Sequence, residues 1–293
     1  MGRDEHSENF MQYCAHVDME GVAQLREHRT ATYCAVMTDN GELSLGLGDM
    51  DIHQQITEDY VSEFKGSLCK APMLCIDGNV PVSTIQYVCQ ISRDHHIPVF
   101  YEPTDEKKAC KPFLSDIWTT LTYISPNLLE LKAINETLGN SVPKELPMML
   151  DDIISLSMTL SQPLLEHLHC VIVTLGIHGL LLCGRNEGGN VSLQPGTHKK
   201  SPGELCAVHY PAAPISTAEI VNVSGAGDSL VAGIIAGMLT GLNTNTCIRM
   251  GLLCARLSLC SQSPISEKIN FNSVSLKQVQ SQKWPDPKLW KIE

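Results

Sequence analysis

The chain has 293 residues, with 21 Lys plus Arg against 32 Asp plus Glu, which gives a formal charge of −11 at neutral pH. This balance argues against a nucleic-acid-binding protein, because phosphate binding depends on clustered cations and no basic run here is longer than a pair. Hydrophobic residues make up 43% of the chain and charged residues 18%. Such values are typical of a folded globular protein rather than a disordered one.

The twelve cysteines are predicted to be reduced thiols of a cytoplasmic protein. They stand singly within apolar runs such as 73–76, and the N-terminus carries no apolar signal segment. There is no Cys-x-x-Cys pair that would favour a zinc site. The longest apolar run, 171–183, is shorter than the roughly 20 residues of a transmembrane helix, so no membrane partner is expected.

The first predicted element is a β-hairpin. Residues 30–38 and 42–48 are β-prone and flank Asp39-Asn40-Gly41, and Asn-Gly between two such stretches is a strong hairpin signal. A hairpin ahead of a series of βα units indicates a lid on a larger domain. We therefore expect residues 1–56 to comprise an N-terminal remnant and a small β lid, and residues 57–293 to form the core.

The core shows a β–α alternation. Predicted helices begin at Thr57, which can cap the helix that follows, and at Pro81. Strands with apolar residues at every position suit a parallel sheet that is buried on both faces. These features predict an α/β fold with a doubly wound, mostly parallel sheet. The strands are predicted at 73–76, 97–101, 121–124 and 171–175, and irregular structure is expected at 184–203 and after Pro264.

The most informative motif is residues 222–229, Asn-Val-Ser-Gly-Ala-Gly-Asp-Ser, which opens a helix with an apolar side that runs from Leu230 to Leu239. A glycine turn at a helix start leaves amide N–H groups and the positive end of the helix dipole available to an anion such as a phosphoryl group. Asp228 would repel that anion, but it suits a general base that takes the proton of an attacking alcohol.

The motif has an ordinary structural alternative, in which Asp228 is a first-turn acid and the glycines make a tight strand-to-helix connection. It is also neither a Walker loop, which needs Gly-Lys-Ser/Thr, nor a Gly-x-Gly-x-x-Gly dinucleotide fingerprint. From the residues alone, the catalytic and the capping interpretations both remain open.

Four features in the same order resemble the ribokinase-like (PfkB) carbohydrate and nucleoside kinases. They are the early hairpin, Asn127-Leu-Leu-Glu130, Thr174-Leu-Gly-Ile-His-Gly179 and the 222–228 motif with its helix. Within that family, Asp77-Gly-Asn79 and residues 102–108, Glu-Pro-Thr-Asp-Glu-Lys-Lys, are most similar to the pseudouridine kinase branch.

The resemblance implies an enzyme that moves the γ-phosphoryl group of ATP to the 5′-hydroxyl of a nucleoside, with pseudouridine as the first expectation. Mg²⁺ is implied as the cofactor, and the nucleoside and ATP are implied as the binding partners. It also implies one role for each matching residue. Asp228 would be the base; the amides of Gly225, Ala226 and Gly227 the anion hole; Asn127 and Glu130 the organisers of Mg²⁺, with Glu130 acting through water; Thr174, Gly176 and Gly179 the nucleotide border; and Lys108 the contact to the substrate base.

Each of these secondary motifs also has a simpler explanation. Asn-x-x-Glu at a helix start matches a capping box. The segment from Thr174 to Gly179 could be a glycine turn between two core strands. Lys108 could be a solvated surface lysine.

The chain departs from the family pattern in three places. It starts just ahead of the lid, so by comparison a sugar-binding segment is absent, and we expect an unpaired sheet edge. Asp105 stands where the pseudouridine branch has Ser. Asn222-Val223 replaces an acidic residue followed by Thr or Ser, which leaves a monovalent cation site open. The alternatives are therefore another ribokinase-like sugar or nucleoside kinase, or a form that only binds nucleotide or a partner; a homodimer through paired lids is a further expectation.

Overall fold

The computed structural model describes residues 1–38, 43–186, 190–194 and 203–292. The elements, in chain order, are α1 (Glu5–Tyr13), β1 (Thr32–Met37), β2 (Leu43–Asp49), α2 (Glu58–Glu63), α3 (Lys65–Leu68), β3 (Leu74–Asp77), α4 (Val82–His95), β4 (Val99–Glu102), α5 (Glu106–Ala109), β5 (Tyr123–Ile124), α6 (Leu128–Thr137), α7 (Leu150–Ser161), β6 (Cys170–Thr174), β7 (Leu180–Arg185), β8 (Leu205–Tyr210), α8 (Ala226–Leu239), α9 (Thr244–Leu259), α10 (Leu276–Ser281) and β9 (Lys288–Lys291).

The predicted lid hairpin is present as an antiparallel pair of β1 and β2. Its expected turn at Asp39-Asn40-Gly41 lies outside the described residues. Because side chains alternate between the faces of a strand, Val36, Leu45 and Leu47 share one face, and all three are about half exposed or more. Tyr33 lies on the opposite face. The hairpin therefore presents one apolar face to solvent.

The main sheet has the order β3-β4-β5-β6-β7-β8-β9. Strands β3 to β6 run parallel, and β7, β8 and β9 are each antiparallel to the strand before them, so five of the seven strands run in one direction. The four predicted strands correspond to β3, β4, β5 and β6. In the described part of the chain β3 pairs only with β4, so it forms one edge of this sheet.

Helices cover both faces of the sheet, as a doubly wound fold requires. On one face α4, α6 and α7 contribute Ile85, Ile134 and Ile154 to a core that includes Tyr101 and Ile124 of the sheet. On the other face α8 and α9 pack, through residues such as Leu230 and Ile248, against Phe100 and Tyr123. The expected caps are also found, since Thr57 accepts a hydrogen bond from the amide of Tyr60 and Pro81 immediately precedes α4.

Three sequence expectations need correction. The tail after Pro264 is not uniformly irregular, because it contains α10 and the edge strand β9, which pairs with β8. The apolar side of α8 is not buried throughout, because Ile235 and Leu239 line the cleft and Leu239 is 47% exposed. The twelve cysteines are present as thiols, but Cys34, Cys75 and Cys260 are exposed rather than buried.

The N-terminal segment is tied down by Asp4. The Asp4 carboxylate accepts hydrogen bonds from the amide of Thr30 (2.7 Å), the Thr30 hydroxyl (2.7 Å) and the amide of Ser7 (2.9 Å). These donors lower the pKa of Asp4 to about 2, because they favour its ionised form. None of the helices in the described ranges has the length and apolar character to span a bilayer.

Candidate functional site

A cleft of about 1120 Å³ opens where β3, β4 and β5 end and α8 begins. Open α/β sheets commonly bind ligands at this carboxyl edge. The lining residues come from the lid, from the ends of four strands and the segments that follow them, including α5 and α6, and from α8 and the turn before it. They are Tyr33, Met50, Cys75, Asp77, Asn79, Glu102, Thr104, Asp105, Lys108, Ser125, Asn127, Glu130, Thr174, Ser224, Gly227, Asp228, Val231, Ala232, Ile235, Ala236 and Leu239.

The start of α8 has an unusual backbone. Gly225 precedes the helix with φ +79°, and a Cβ there would lie 2.2 Å from the carbonyl oxygen of Pro264, so only glycine fits. The helix has no side-chain cap hydrogen bond. Asp228, in its first turn, lines the cleft instead, as does Gly227. The amide of Ala226 donates to Val223 O at 3.4 Å, so it is partly engaged within the turn.

Asn127 and Glu130 form the capping box that the sequence allowed. The amide of Asn127 donates to Glu130 Oε2 (2.8 Å), and the amide of Glu130 donates to Asn127 Oδ1 (2.9 Å). Both residues nevertheless line the cleft, and Asn127 pairs as an isolated parallel bridge with Thr174, the last residue of β6. The capping interpretation is therefore correct, and it fixes both side chains at the cleft wall.

The Thr174–Gly179 segment is the turn that joins β6 to β7. Gly179 has φ +88°, and a Cβ there would lie 2.1 Å from Tyr210 O, so the neighbouring strand requires a glycine. Gly176 also has positive φ, at +57°. Thr174 lines the cleft, whereas Gly176 and Gly179 are not among its lining residues. The structural alternative thus accounts for Gly179, and the nucleotide-border role of both glycines stays a prediction.

Lys108 lies in the cleft wall beside Asp105. Its Nζ is 2.9 Å from Asp105 Oδ2, and the Asp105 side chain also accepts from the amides of Lys107 and Lys108 at the start of α5. Lys108 is thus a half-buried, oriented cation rather than a solvated surface lysine. The Asp that departs from the family pattern is the residue that orients it.

The lining is strongly acidic. Five lining residues are carboxylates, and in the described part of the chain Lys108 is the only Lys or Arg among them; the five are Asp77, Glu102, Asp105, Glu130 and Asp228. The pKa of Glu102 rises to about 7, chiefly through burial and then through the charges of Asp228 and Glu130. Burial within the cleft walls, followed by the charge of Asp77, raises the pKa of Asp228 even though its side chain reaches solvent. Burial also raises the pKa of Glu130.

This donor set suits a metal ion that arrives with phosphates. No three His, Cys, Asp or Glu side chains among the described residues are arranged to hold a metal by themselves. Mg²⁺ commonly keeps several waters and binds through one or two carboxylates plus substrate phosphates. The carboxylates that line the cleft, Glu130 among them, therefore fit a magnesium ion that is bound jointly by the protein and by a triphosphate.

The side chain of Asn222, at the candidate monovalent cation site, is used within its own loop. Its Oδ1 accepts from the amide of Ser224 (2.9 Å), and its Nδ2 donates to Gln262 O (3.2 Å). A monovalent cation site beside this residue stays a prediction.

Sequence reasoning assigned no role to Asp77, Glu102 or Ser125, which form a row at the cleft floor. Asp77 and Glu102 are register partners on β3 and β4, and Ser125 follows β5 directly. The available signal was that each residue ends or follows a buried strand, where ligand-binding residues of α/β sheets concentrate.

Comparison with known proteins shows the family and the fold of the chain. A family model described as pfkB family carbohydrate kinase matches residues 1–270. The chain is 23% identical over 290 residues to the pseudouridine kinase of Arabidopsis thaliana, covering 88% of this chain and 75% of that protein. It is 21% identical over 230 residues to the pseudouridine kinase of Escherichia coli (strain K12), covering 78% of this chain and 62% of that protein. Among solved structures, the ribokinase of Arabidopsis thaliana in complex with ribose and ATP superimposes with a TM-score of 0.70 at 17% identity, covering 96% of this chain and 80% of that one.

Proposed function

The chain belongs to the pfkB family of carbohydrate kinases, phosphotransferases with an alcohol acceptor, and from this membership we propose that it phosphorylates the 5′-hydroxyl of a nucleoside, with pseudouridine as the substrate. The carrying observation is that Lys108, Asn127, Thr174 and Asp228, which are distant in sequence, line one cleft. The two curated pseudouridine kinases support the choice of substrate.

In this proposal Asp228 is the general base. As the acceptor oxygen attacks the γ-phosphorus, a new O–P bond forms and the bond from the γ-phosphorus to the β,γ-bridging oxygen breaks, so ADP leaves. The acceptor proton passes to the Asp228 carboxylate, which faces the cleft instead of capping α8. A base so placed contributes a rate factor of about 10²–10⁴.

The N-terminus of α8 supplies the positive field for the phosphoryl group. Amides of the 225–227 turn would donate to its oxygens, and the dipole of the 14-residue helix points its positive end at the same place. Gly227 is the turn residue that lines the cleft, so its amide is the best placed of the three. A bound magnesium ion would neutralise charge on the triphosphate, with Asn127 and Glu130 holding it or its waters.

Two further groups would bind the nucleotide and the substrate. Thr174, fixed beside Asn127 by the strand bridge, would border the triphosphate, with Gly176 and Gly179 shaping the turn that follows. Lys108 can donate to a carbonyl of the substrate base, because Asp105 holds its ammonium at the cleft wall.

The test is a direct assay of the purified chain with MgATP and either pseudouridine, ribose or adenosine. We expect pseudouridine 5′-phosphate to be the main product. Asp228→Asn should lower kcat by about 10²- to 10⁴-fold with little change in melting temperature, because it removes the base but keeps the shape. Asp151→Asn, an exposed change on α7, is the matched control and should keep full activity.

The other outcomes are equally informative. Faster turnover of ribose or adenosine would assign a different acceptor to the same site. Binding of ATP without turnover of any of the three would contradict the proposed enzyme activity and favour a nucleotide-binding role.

A further inference from the structure

Ser125 is a buried hydroxyl for which the functions discussed so far provide no partner. Ser125 is only 4% exposed, and its Oγ has no hydrogen-bond partner among the described residues. Ser125 nevertheless lines the cleft. A buried hydroxyl without a partner is destabilising, because it has lost its hydrogen bonds to water and gained none in exchange. Such an atom facing a cleft indicates a ligand that completes it.

Ser125 lies next to Glu102 on the same face of the sheet. Phe100 and Tyr101 on β4 pair with Tyr123 and Ile124 on β5, so the next residues, Glu102 and Ser125, are neighbours at the strand ends. Phe100 and Tyr123, two residues earlier, pack in the core under α8. By strand alternation, Glu102 and Ser125 face the same side, beneath the start of α8.

A strained residue orients Glu102. Thr104 has φ +74°, which is uncommon for a β-branched residue, and such strain is retained where the surroundings require it. Its hydroxyl accepts from the amide of Gly78 (3.0 Å) and donates to Glu102 Oε2 (3.3 Å). One carboxylate oxygen of Glu102 is thereby held from the side of β3.

The charges around this pair call for a cation. Asp228 and Glu130 both act on Glu102 electrostatically, and Asp77 is its register partner on β3. Among the described residues, Lys108 is the only Lys or Arg that lines the cleft, and its ammonium group already forms a salt bridge with Asp105. A triphosphate would bring further negative charge into a cleft that already carries four unpaired carboxylates.

We propose that Glu102 and Ser125 together bind the divalent cation that enters with the nucleotide, Glu102 through a carboxylate oxygen and Ser125 through its hydroxyl oxygen. Two direct oxygen ligands from the protein, with phosphate oxygens and waters for the rest, match the coordination that Mg²⁺ prefers, and Asn127 and Glu130 would then act through those waters. The inference rests on the proposed function, because it requires a triphosphate in the cleft.

The test measures cation binding rather than turnover. Mn²⁺ replaces Mg²⁺, and its free concentration is followed by electron paramagnetic resonance with the protein and the non-hydrolysable β,γ-imido analogue of ATP. Glu102→Gln and Ser125→Ala should each weaken Mn²⁺ binding in the ternary complex by about tenfold or more. Binding of the nucleotide analogue is measured separately by titration without divalent metal.

Matched variants separate this role from general effects on the fold. Ser161→Ala removes another buried hydroxyl, on α7 and away from the cleft, and should leave Mn²⁺ affinity unchanged. Asp151→Asn removes an exposed carboxylate on α7, outside the cleft lining, and should likewise leave Mn²⁺ affinity unchanged. Ser125→Cys gives a positive readout, because a sulfur ligand should shift the preference of the site from Mg²⁺ towards Cd²⁺.

Unchanged Mn²⁺ affinity in both Glu102→Gln and Ser125→Ala would overturn the inference while leaving the proposed function intact. Weaker nucleoside binding at unchanged Mn²⁺ affinity would also overturn it, since the pair would then contact the acceptor. If the wild-type chain binds no nucleotide analogue at all, both the inference and the proposed function are wrong.

Discussion

At the residue scale, the proposed mechanism depends on the protonation state of Asp228. Its pKa is raised by loss of hydration between the cleft walls and then by the charge of Asp77 on β3, while Glu102 on β4 faces it as well. A base must be ionised to act, so a raised pKa moves the loss of activity to a higher pH than that of an ordinary aspartate.

We therefore predict that the acid limb of kcat/KM lies above pH 3.8, the ordinary aspartate value, and that Asp77→Asn moves it to lower pH. Removing a like charge makes ionisation of Asp228 easier, so its pKa falls. The measurement is the pH profile of kcat/KM with saturating MgATP. Asp151→Asn is the control, and a limb that stays in place or rises in Asp77→Asn contradicts the prediction.

Substitution of the two glycines before Asp228 by alanine should change the stability of the fold in opposite directions. Gly225→Ala introduces a side chain at φ +79° and a clash with Pro264 O, so we expect a loss of about 2 kcal/mol or more in unfolding free energy. Gly227→Ala meets no atom within 4 Å and lies within α8, so stability should rise by about 0.5–1 kcal/mol.

Activity should fall in both variants. The methyl group of Gly227→Ala would stand beside the amide that we assign to the phosphoryl group, so KM for ATP should increase although the fold is more stable. Denaturant unfolding and steady-state kinetics measure the two effects. Full activity in Gly227→Ala would exclude that amide from the anion hole.

At the element scale, the N-terminal segment depends on its bonds to Asp4. The hydroxyl and amide donors of Thr30 and Ser7 lower the pKa of Asp4 to about 2. The stabilisation that the ionised Asp4 gives to the folded segment is therefore present above the ordinary pKa of 3.8 and is lost as the pH falls towards 2. We predict that Asp4→Ala speeds hydrogen exchange of the Thr30 amide at pH 7. Asp18→Ala, which removes only an exposed bond to the Glu20 amide, should leave that exchange rate unchanged.

The elements that the sequence predicted are those with long local signals. The strands β3 to β6 are apolar at nearly every position, and the lid and the Asn127 capping box are defined by residues close in the chain. Edge strand β9 was missed because four residues with Leu289 and Trp290 carry too little periodicity, and only pairing with β8 makes them a strand. Asp77, Glu102 and Ser125 received no roles because their convergence depends on the register between strands.

At the scale of the whole molecule, the apolar outer face of the lid favours self-association. Val36, Leu45 and Leu47 are 46%, 52% and 59% exposed on that face, which lies opposite Tyr33 and the cleft. We predict a homodimer that buries these residues, and we expect the double change Leu45→Lys and Leu47→Lys to yield a monomer in sedimentation velocity. Lys65→Ala, on α3, is the control; a monomeric wild type at micromolar concentration contradicts the prediction.

The contact behind Gly225 links the turn before α8 to α9 and to the loop that follows it. Pro264 O, against which Gly225 packs, accepts a hydrogen bond from the hydroxyl of Ser258, a fully buried residue of α9. The loop after Pro264 is largely exposed, with Phe271 at 88%, and exposed loops open at lower free-energy cost than the core. On warming, the contact between Pro264 and Gly225 should be lost before the sheet unfolds. Inactivation is therefore expected to begin below the temperature at which the chain unfolds.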